Sequence, residues 1–198
     1  GNIYFTNEAG NLFHHNIETK TDTLIETGIV VFRIHKASSD NLFLLSDSSK
    51  LYNFSTLSNK YSLIEEWQGD KVRTDKRTYS IQDNICYVSA EERLECFHTK
   101  ERLYSNYLPD GEDQIVTIGI KDKDTLWAIT NSNSIYSFNL NNNSFEFAYS
   151  IEQFGIKKFK TKNIVSTQSQ RWISSTSQGL LAIDRRKDHA QLLNEGNQ

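Results

Sequence analysis

The run Leu126-Trp127-Ala128-Ile129-Thr130 decides the fold, because the chain repeats it. The same pattern of aliphatic, bulky and β-branched residues returns at Ile3-Tyr4-Phe5, Leu42-Phe43-Leu44-Leu45-Ser46, Ile85-Cys86-Tyr87-Val88-Ser89 and Arg171-Trp172-Ile173-Ser174-Ser175. The second residue of each run serves as an anchor: Tyr4, Phe43, Cys86, Trp127 and Trp172. The anchors are 39, 43, 41 and 45 residues apart. Eight positions past each sits an aliphatic residue: Leu12, Leu51, Leu94, Ile135 and Leu180. Eleven positions past sit His15, Phe54, Phe97, Phe138 and Ile183, four of them large and apolar. A period that drifts around a fixed internal spacing is the mark of a repeated hairpin joined by loops of variable length.

Each unit reads as strands. A polar turn follows the anchor run, such as Asn7-Glu8-Ala9-Gly10 or Asn131-Ser132-Asn133-Ser134, of the residue types that accept positive φ and side-chain-to-backbone bonds. A second strand comes next (Ile135-Tyr136-Ser137-Phe138), then another turn (Asn141-Asn142-Asn143-Ser144) and a third strand (Phe145-Glu146-Phe147-Ala148-Tyr149). In units two to five one more strand precedes the anchor, as in Val116-Thr117-Ile118-Gly119-Ile120. The middle strands carry apolar residues at both parities, which fits burial on both faces. The fold expected is all-β: a β-propeller of about five four-stranded blades, spanning 1–28, 29–67, 68–110, 111–152 and 153–198. The first unit lacks its first strand, so an open arc of a larger propeller is expected rather than a finished ring.

The last unit, Trp172 to Asp184, resembles the two-component regulator propeller repeat, with its aromatic-Ile start, a turn, Gly179-Leu180, and a short strand ending in Asp184. Unit four is similar but has Ser134-Ile135 where that family has Gly-Leu; the other units keep the spacing and lose most identities. The resemblance implies a non-enzymatic, periplasmic or otherwise extracytoplasmic sensor segment of a hybrid two-component protein. It also implies an oligosaccharide ligand, signalling through a homodimer, and a kinase and membrane anchor in segments outside this sequence. Two rival readings are a propeller scaffold for protein–protein interaction and a five-bladed glycoside hydrolase or lyase.

Composition narrows the classes further. A net charge of −3 gives no footprint for a polyanion, so nucleic acid is not expected as a partner. The chain opens directly into a strand pattern with no secretory leader, as a piece of a longer protein would. His14, His15, His35, His98 and His189 show no metal-ligand spacing, and no phosphate loop or nucleophile elbow is present, so no cofactor, metal or catalytic residue is expected. The acidic pairs Glu65-Glu66 and Glu91-Glu92 read as solvated turns. The longest loop, Glu65 to Thr78, holds the candidate ligand site: Trp67 offers a flat apolar face, and Lys71, Arg73, Lys76 and Arg77 offer charges for sulfate or carboxylate. The run from Lys157 to Lys162 reads as a polar strand or loop, with an anion site as the alternative. The anchors Trp127 and Trp172 are expected in the core between blades. Cys86 and Cys96 are expected as buried free thiols on opposite faces of a hairpin in which residue 86 faces 95.

Overall fold

A computed structural model describes residues 1–46, 50–66, 78–81, 84–89, 92–111, 114–157, 159–184 and 189–194. Nineteen strands and one short 3₁₀ turn are found among them. Sequential antiparallel pairing gathers the strands into five sheets. The first has three strands, β1 (Asn2–Thr6), β2 (Leu12–Asn16) and β3 (Thr21–Ile25). The second comprises β4 (Val31–Lys36), β5 (Asn41–Ser46), β6 (Lys50–Ser55) and β7 (Lys60–Glu66). The third comprises β8 (Thr78–Ile81), β9 (Asn84–Val88), β10 (Leu94–His98) and β11 (Leu103–Tyr107). The fourth is built from β12 (Ile115–Ile120), β13 (Thr125–Thr130), β14 (Ser134–Asn139) and β15 (Ser144–Ser150), and the fifth from β16 (Thr161–Ser166), β17 (Gln170–Ser175), β18 (Leu180–Asp184) and β19 (Ala190–Leu193). The protein is an all-β propeller fold of consecutive blades.

The chain divides into two compact units. One is Gly1–Asp75 with His98–Arg102 and holds the first two blades; the other is Lys76–Phe97 with Leu103–Gln198. In the first, Leu12 with Tyr4 and Ile25 packs against Leu44 and Phe54 of the second blade. In the other, Cys86, Val88, Leu94 and Cys96 meet Ile118, Leu126, Ala128 and Phe138 across one seam. Trp127, Ile129, Ile135 and Tyr149 meet Ile164, Ile173, Leu181 and Ile183 across the next.

These clusters explain the spacing. Within each unit the anchor and the residue eight further on face the following blade (Tyr4 and Leu12, Cys86 and Leu94, Trp127 and Ile135), whereas the residue eleven on (Phe54, Phe138, Ile183) lies on the opposite face, toward the preceding one. Hence Phe54, Phe138 and Ile183 are buried, while His15 is only part-buried on the first sheet, its Nδ1 2.7 Å from Asp22 Oδ1. Trp172 is the converse. It was expected in a blade seam, as Trp127 is, but on the fifth sheet it is half-buried and lies on the face away from Trp127.

Left-handed backbone recurs at both turns of the repeat among the described residues. Sixteen residues past the anchor, Lys20, Asn59, Arg102 and Asn143 all sit at φ 54–55°. Six past it, Gly10, Glu92 and Asn133 are also left-handed, at φ 76, 60 and 63°. The carbonyls of these last three accept N–H bonds from Val31, Ile115 and Ile151, at 2.7–3.0 Å. Each of those donors opens the chain segment that follows the blade, so the turn of one hairpin is tied to the segment leading onward.

The register corrects one expectation. In the first, second, fourth and fifth blades the anchor pairs with the residue ten positions on: Tyr4 with His14, Phe43 with Asn53, Trp127 with Ser137, Trp172 with Ala182. In the third blade Ser89 N–H donates to Arg93 O at 2.9 Å, and Tyr87 Oη donates to Glu95 Oε2 at 2.6 Å. Both contacts place residue 87 opposite 95 and therefore Cys86 opposite Cys96. The two thiols share one face instead of pointing apart, because the three-residue turn, with Glu92 left-handed, adds one residue to the connection assumed from sequence. Both cysteines are buried and unbridged, as expected.

Candidate functional site

The expected ligand residues Trp67, Lys71, Arg73, Lys76 and Arg77 all lie outside the described residues. The second basic run, by contrast, borders a cavity in the larger unit. How it gets there begins at Ser150, whose hydroxyl accepts from Glu152 N at 3.2 Å and starts the 3₁₀ turn Ile151–Phe154. Gly155 ends the turn in the left-handed region, φ 74°, with its N–H on Glu152 O. The chain then crosses toward β16, pinned by Phe159, which is 2% exposed among Trp127, Ile164 and Ile173. Two further bonds fix this crossing: Thr176 N–H donates to Lys160 O at 3.1 Å, and Gln178 Nε2 donates to Lys157 O at 3.3 Å.

The cavity, of about 400 Å³, opens between the fourth and fifth blades. Val116 of β12 and Phe159 give it apolar walls; Thr130, Asn131 and Asn133 of the β13–β14 turn and Lys160 and Thr161 add polar groups. Asn131 is held from two sides, its N–H on Gln114 O at 2.9 Å and its Nδ2 on Gln114 Oε1 at 3.1 Å. The backbone of Asn133 is committed as well, its N–H to Thr130 O and its carbonyl to Ile151 N, both at 3.0 Å. The hydroxyl oxygen of Thr161 is buried and has no hydrogen-bond partner. An apolar pocket edged by amides, a hydroxyl with spare capacity and one exposed ammonium suits a small polar organic molecule that has an apolar face. Sequence reasoning noticed the basic run but not Phe159 as its core peg. Nor could it place the run beside a turn thirty residues earlier.

The remaining candidates fall into structural roles. His14 stacks on Tyr4 at 5.1 Å, on the face opposite His15. Glu66 pairs with Lys50 at 3.2 Å. No group of three or more metal-binding side chains occurs among the described residues. No helix among them is long and apolar enough to cross a membrane.

His35 on β4 carries a pH dependence. Burial, and then the Arg33 guanidinium on the same face of the strand, lower its pKa from 6.5 to about 4. A depressed histidine stays neutral when folded but charges when unfolded, so its contribution is complete above pH 6.5 and is lost as pH falls from there toward 4. Acidification across that window is expected to cost about 2 kcal/mol, after allowance for partial solvent screening. Urea melts at pH 7 and pH 4 measure it: His35→Gln is expected to flatten this part of the profile, and an unchanged profile would refute the assignment.

No family model matches the chain, and no curated protein matches it. Solved structures do. The extracellular domain assigned to the hybrid two-component system BT3049 of B. thetaiotaomicron aligns at TM-score 0.64 and 13% identity, over 100% of this chain and 27% of that one. The extracellular domain assigned to the one-component system BT4673 of the same organism aligns at 0.67 and 12%, over 98% and 30%. YCF48 bound to D1 peptide aligns at 0.71 and 12%, over 96% and 64%. The chain therefore spans between about a quarter and two thirds of the length of these structures. Identities this low speak to architecture, and the chain is similar to all three as a β-propeller.

Proposed function

We propose that this chain is a non-catalytic, ligand-recognising segment of an extracytoplasmic two-component sensor, and that its ligand is an oligosaccharide. The observation carrying the reading is the blade-four/blade-five cavity, where Phe159 and Val116 offer an apolar wall and Asn131, Thr161 and Lys160 offer hydrogen bonds. A sugar ring presents this combination, with C–H groups on one face and hydroxyls around its edge. The repeat resemblance at Trp172–Asp184 and the likeness to two sensor ectodomains support it. Ligand binding would shift a dimer of the longer protein between two arrangements. The test is calorimetry with a panel of neutral and sulfated oligosaccharides. A binder is expected, and Asn131→Ala with Lys160→Ala is expected to weaken it at least roughly tenfold, the loss of two hydrogen-bonding groups. No heat from any glycan, or a binder indifferent to both substitutions, would overturn the placement.

A second reading, a scaffold that binds a peptide or protein, is favoured by one surface. On the first sheet Phe5, Phe13 and Leu24 form a cross-strand row, with the two rings stacked at 5.3 Å and Phe5 and Leu24 exposed. Exposed apolar rows of this kind mark contact surfaces. Phe5→Asp leaving glycan binding intact while abolishing dimerisation of the longer protein would assign that face to assembly.

A further inference from the structure

Cys86 and Cys96 sit opposite each other on β9 and β10. Two observations agree on this: the Ser89–Arg93 backbone bond and the Tyr87–Glu95 side-chain bond on the other face. The register also fixes the kind of pair. Counting back from the hydrogen-bonded position 89/93, pairs alternate, so 86/96 is a non-hydrogen-bonded site. At such sites the Cα atoms lie about 4.5 Å apart with the side chains close, inside the range of about 4.4–6.8 Å that a disulfide spans. The register thus places the pair where a cross-strand disulfide can form.

From this geometry we infer that Cys86 and Cys96 are a modification site, oxidised to a cross-strand disulfide that staples the middle of the third blade. The oxidant is a disulfide-bearing molecule acting by exchange. One cysteine thiolate attacks its S–S bond, forming a mixed disulfide and releasing one thiol; the second attacks that mixed disulfide, releasing the other. Two S–H bonds and the oxidant's S–S bond break, and the Cys86–Cys96 bond forms. The cysteines lose two electrons, the oxidant gains them, and the two protons end on the released thiols.

The timing follows from burial. Both side chains are 0% exposed, enclosed by Ile118, Leu126, Ala128 and Phe138 of the next blade. Burial, and then the neighbouring Cys96 thiol, push the Cys86 thiol well above its ordinary range, so the folded pair is a poor nucleophile. Exchange therefore belongs to folding, after the hairpin registers and before the fourth blade covers it. This inference does not depend on the proposed ligand or on the sensor reading.

The test refolds the full chain from denaturant with a glutathione/glutathione-disulfide mixture, then counts thiols under denaturing conditions by maleimide labelling and intact mass. The expected product has no free thiol, a mass lower by two hydrogens, and a Cys86–Cys96 peptide by mapping. Its Tm is expected to exceed that of the reduced protein by roughly 5–10 °C. Glutathione disulfide added to the already folded, reduced chain is expected to oxidise it at least a hundredfold more slowly. Cys86→Ser and Cys96→Ser each remove the bridge, and the mapping on the unsubstituted chain stands even if either variant fails to fold. Two free thiols after oxidative refolding, a disulfide only between chains, or an oxidised form with no higher Tm would overturn the inference.

Discussion

Replacing Trp127 by alanine is expected to lower stability by about 4 kcal/mol, a fall of roughly 8–16 °C in Tm for a chain of this size. Three losses combine. The indole is 1% exposed and anchors the seam between the fourth and fifth blades, so its removal leaves a cavity bounded by Tyr149, Ile164 and Ile173. Its Nε1–H donates to Ser166 Oγ at 2.7 Å, across the seam, and the serine would lose that partner. The Arg171 guanidinium lies 4.6 Å from the ring centre and the Lys121 ammonium 4.7 Å, so two cations lose a π face. Trp127→Phe separates the contributions: most of the packing stays, the donor goes, and the expected cost is about 1–2 kcal/mol. Urea denaturation of both variants measures the difference. A cost under about 1 kcal/mol for Trp127→Ala would show that the seam does not rest on this side chain.

Gly119→Ala is expected to cost about 3 kcal/mol or more, although it adds a single methyl group to a strand. Gly119 pairs with Trp127 on one side, and its other side approaches the backbone of β16. A Cβ there would fall inside contact distance of the Ile164 carbonyl oxygen and its Cγ2. A carbonyl in a sheet cannot rotate away as a side chain tip can, so β12 and β16 would have to part. Gly28→Ala is the control. It has φ 66° but nothing within 4 Å of the added atom, so only the conformational penalty of about 1 kcal/mol applies. Equal losses at the two sites would show that conformation and not close approach governs Gly119.

Why the repeat was readable while the site was not comes down to range. Positions zero, eight and eleven of each unit are set by pairing within one hairpin and by which neighbouring blade each face meets, so a side-chain pattern records them directly. The left-handed residues at position sixteen were half visible. Asn59 and Asn143 are residues that adopt αL readily, but Lys20 and Arg102 hold the same φ with no compositional sign. The cysteine register failed on a single residue, Glu92, whose positive φ shifts every later partner by one. The cavity was illegible because its walls come from segments thirty residues apart, and because Phe159 looks like one apolar letter in a basic run until Trp127 and Ile173 close over it.

The left-handed turn residues Gly10, Glu92 and Asn133 have nothing in common as side chains, yet each offers its carbonyl to the next segment in the same way. Substitution at those positions changes the side chain and leaves the acceptor in place, provided the turn keeps its shape. A blade can then exchange almost all of its identities and still couple to its neighbour. For anyone building chimeras from this chain, a graft that keeps each turn together with Val31, Ile115 or Ile151 inherits the joint whole.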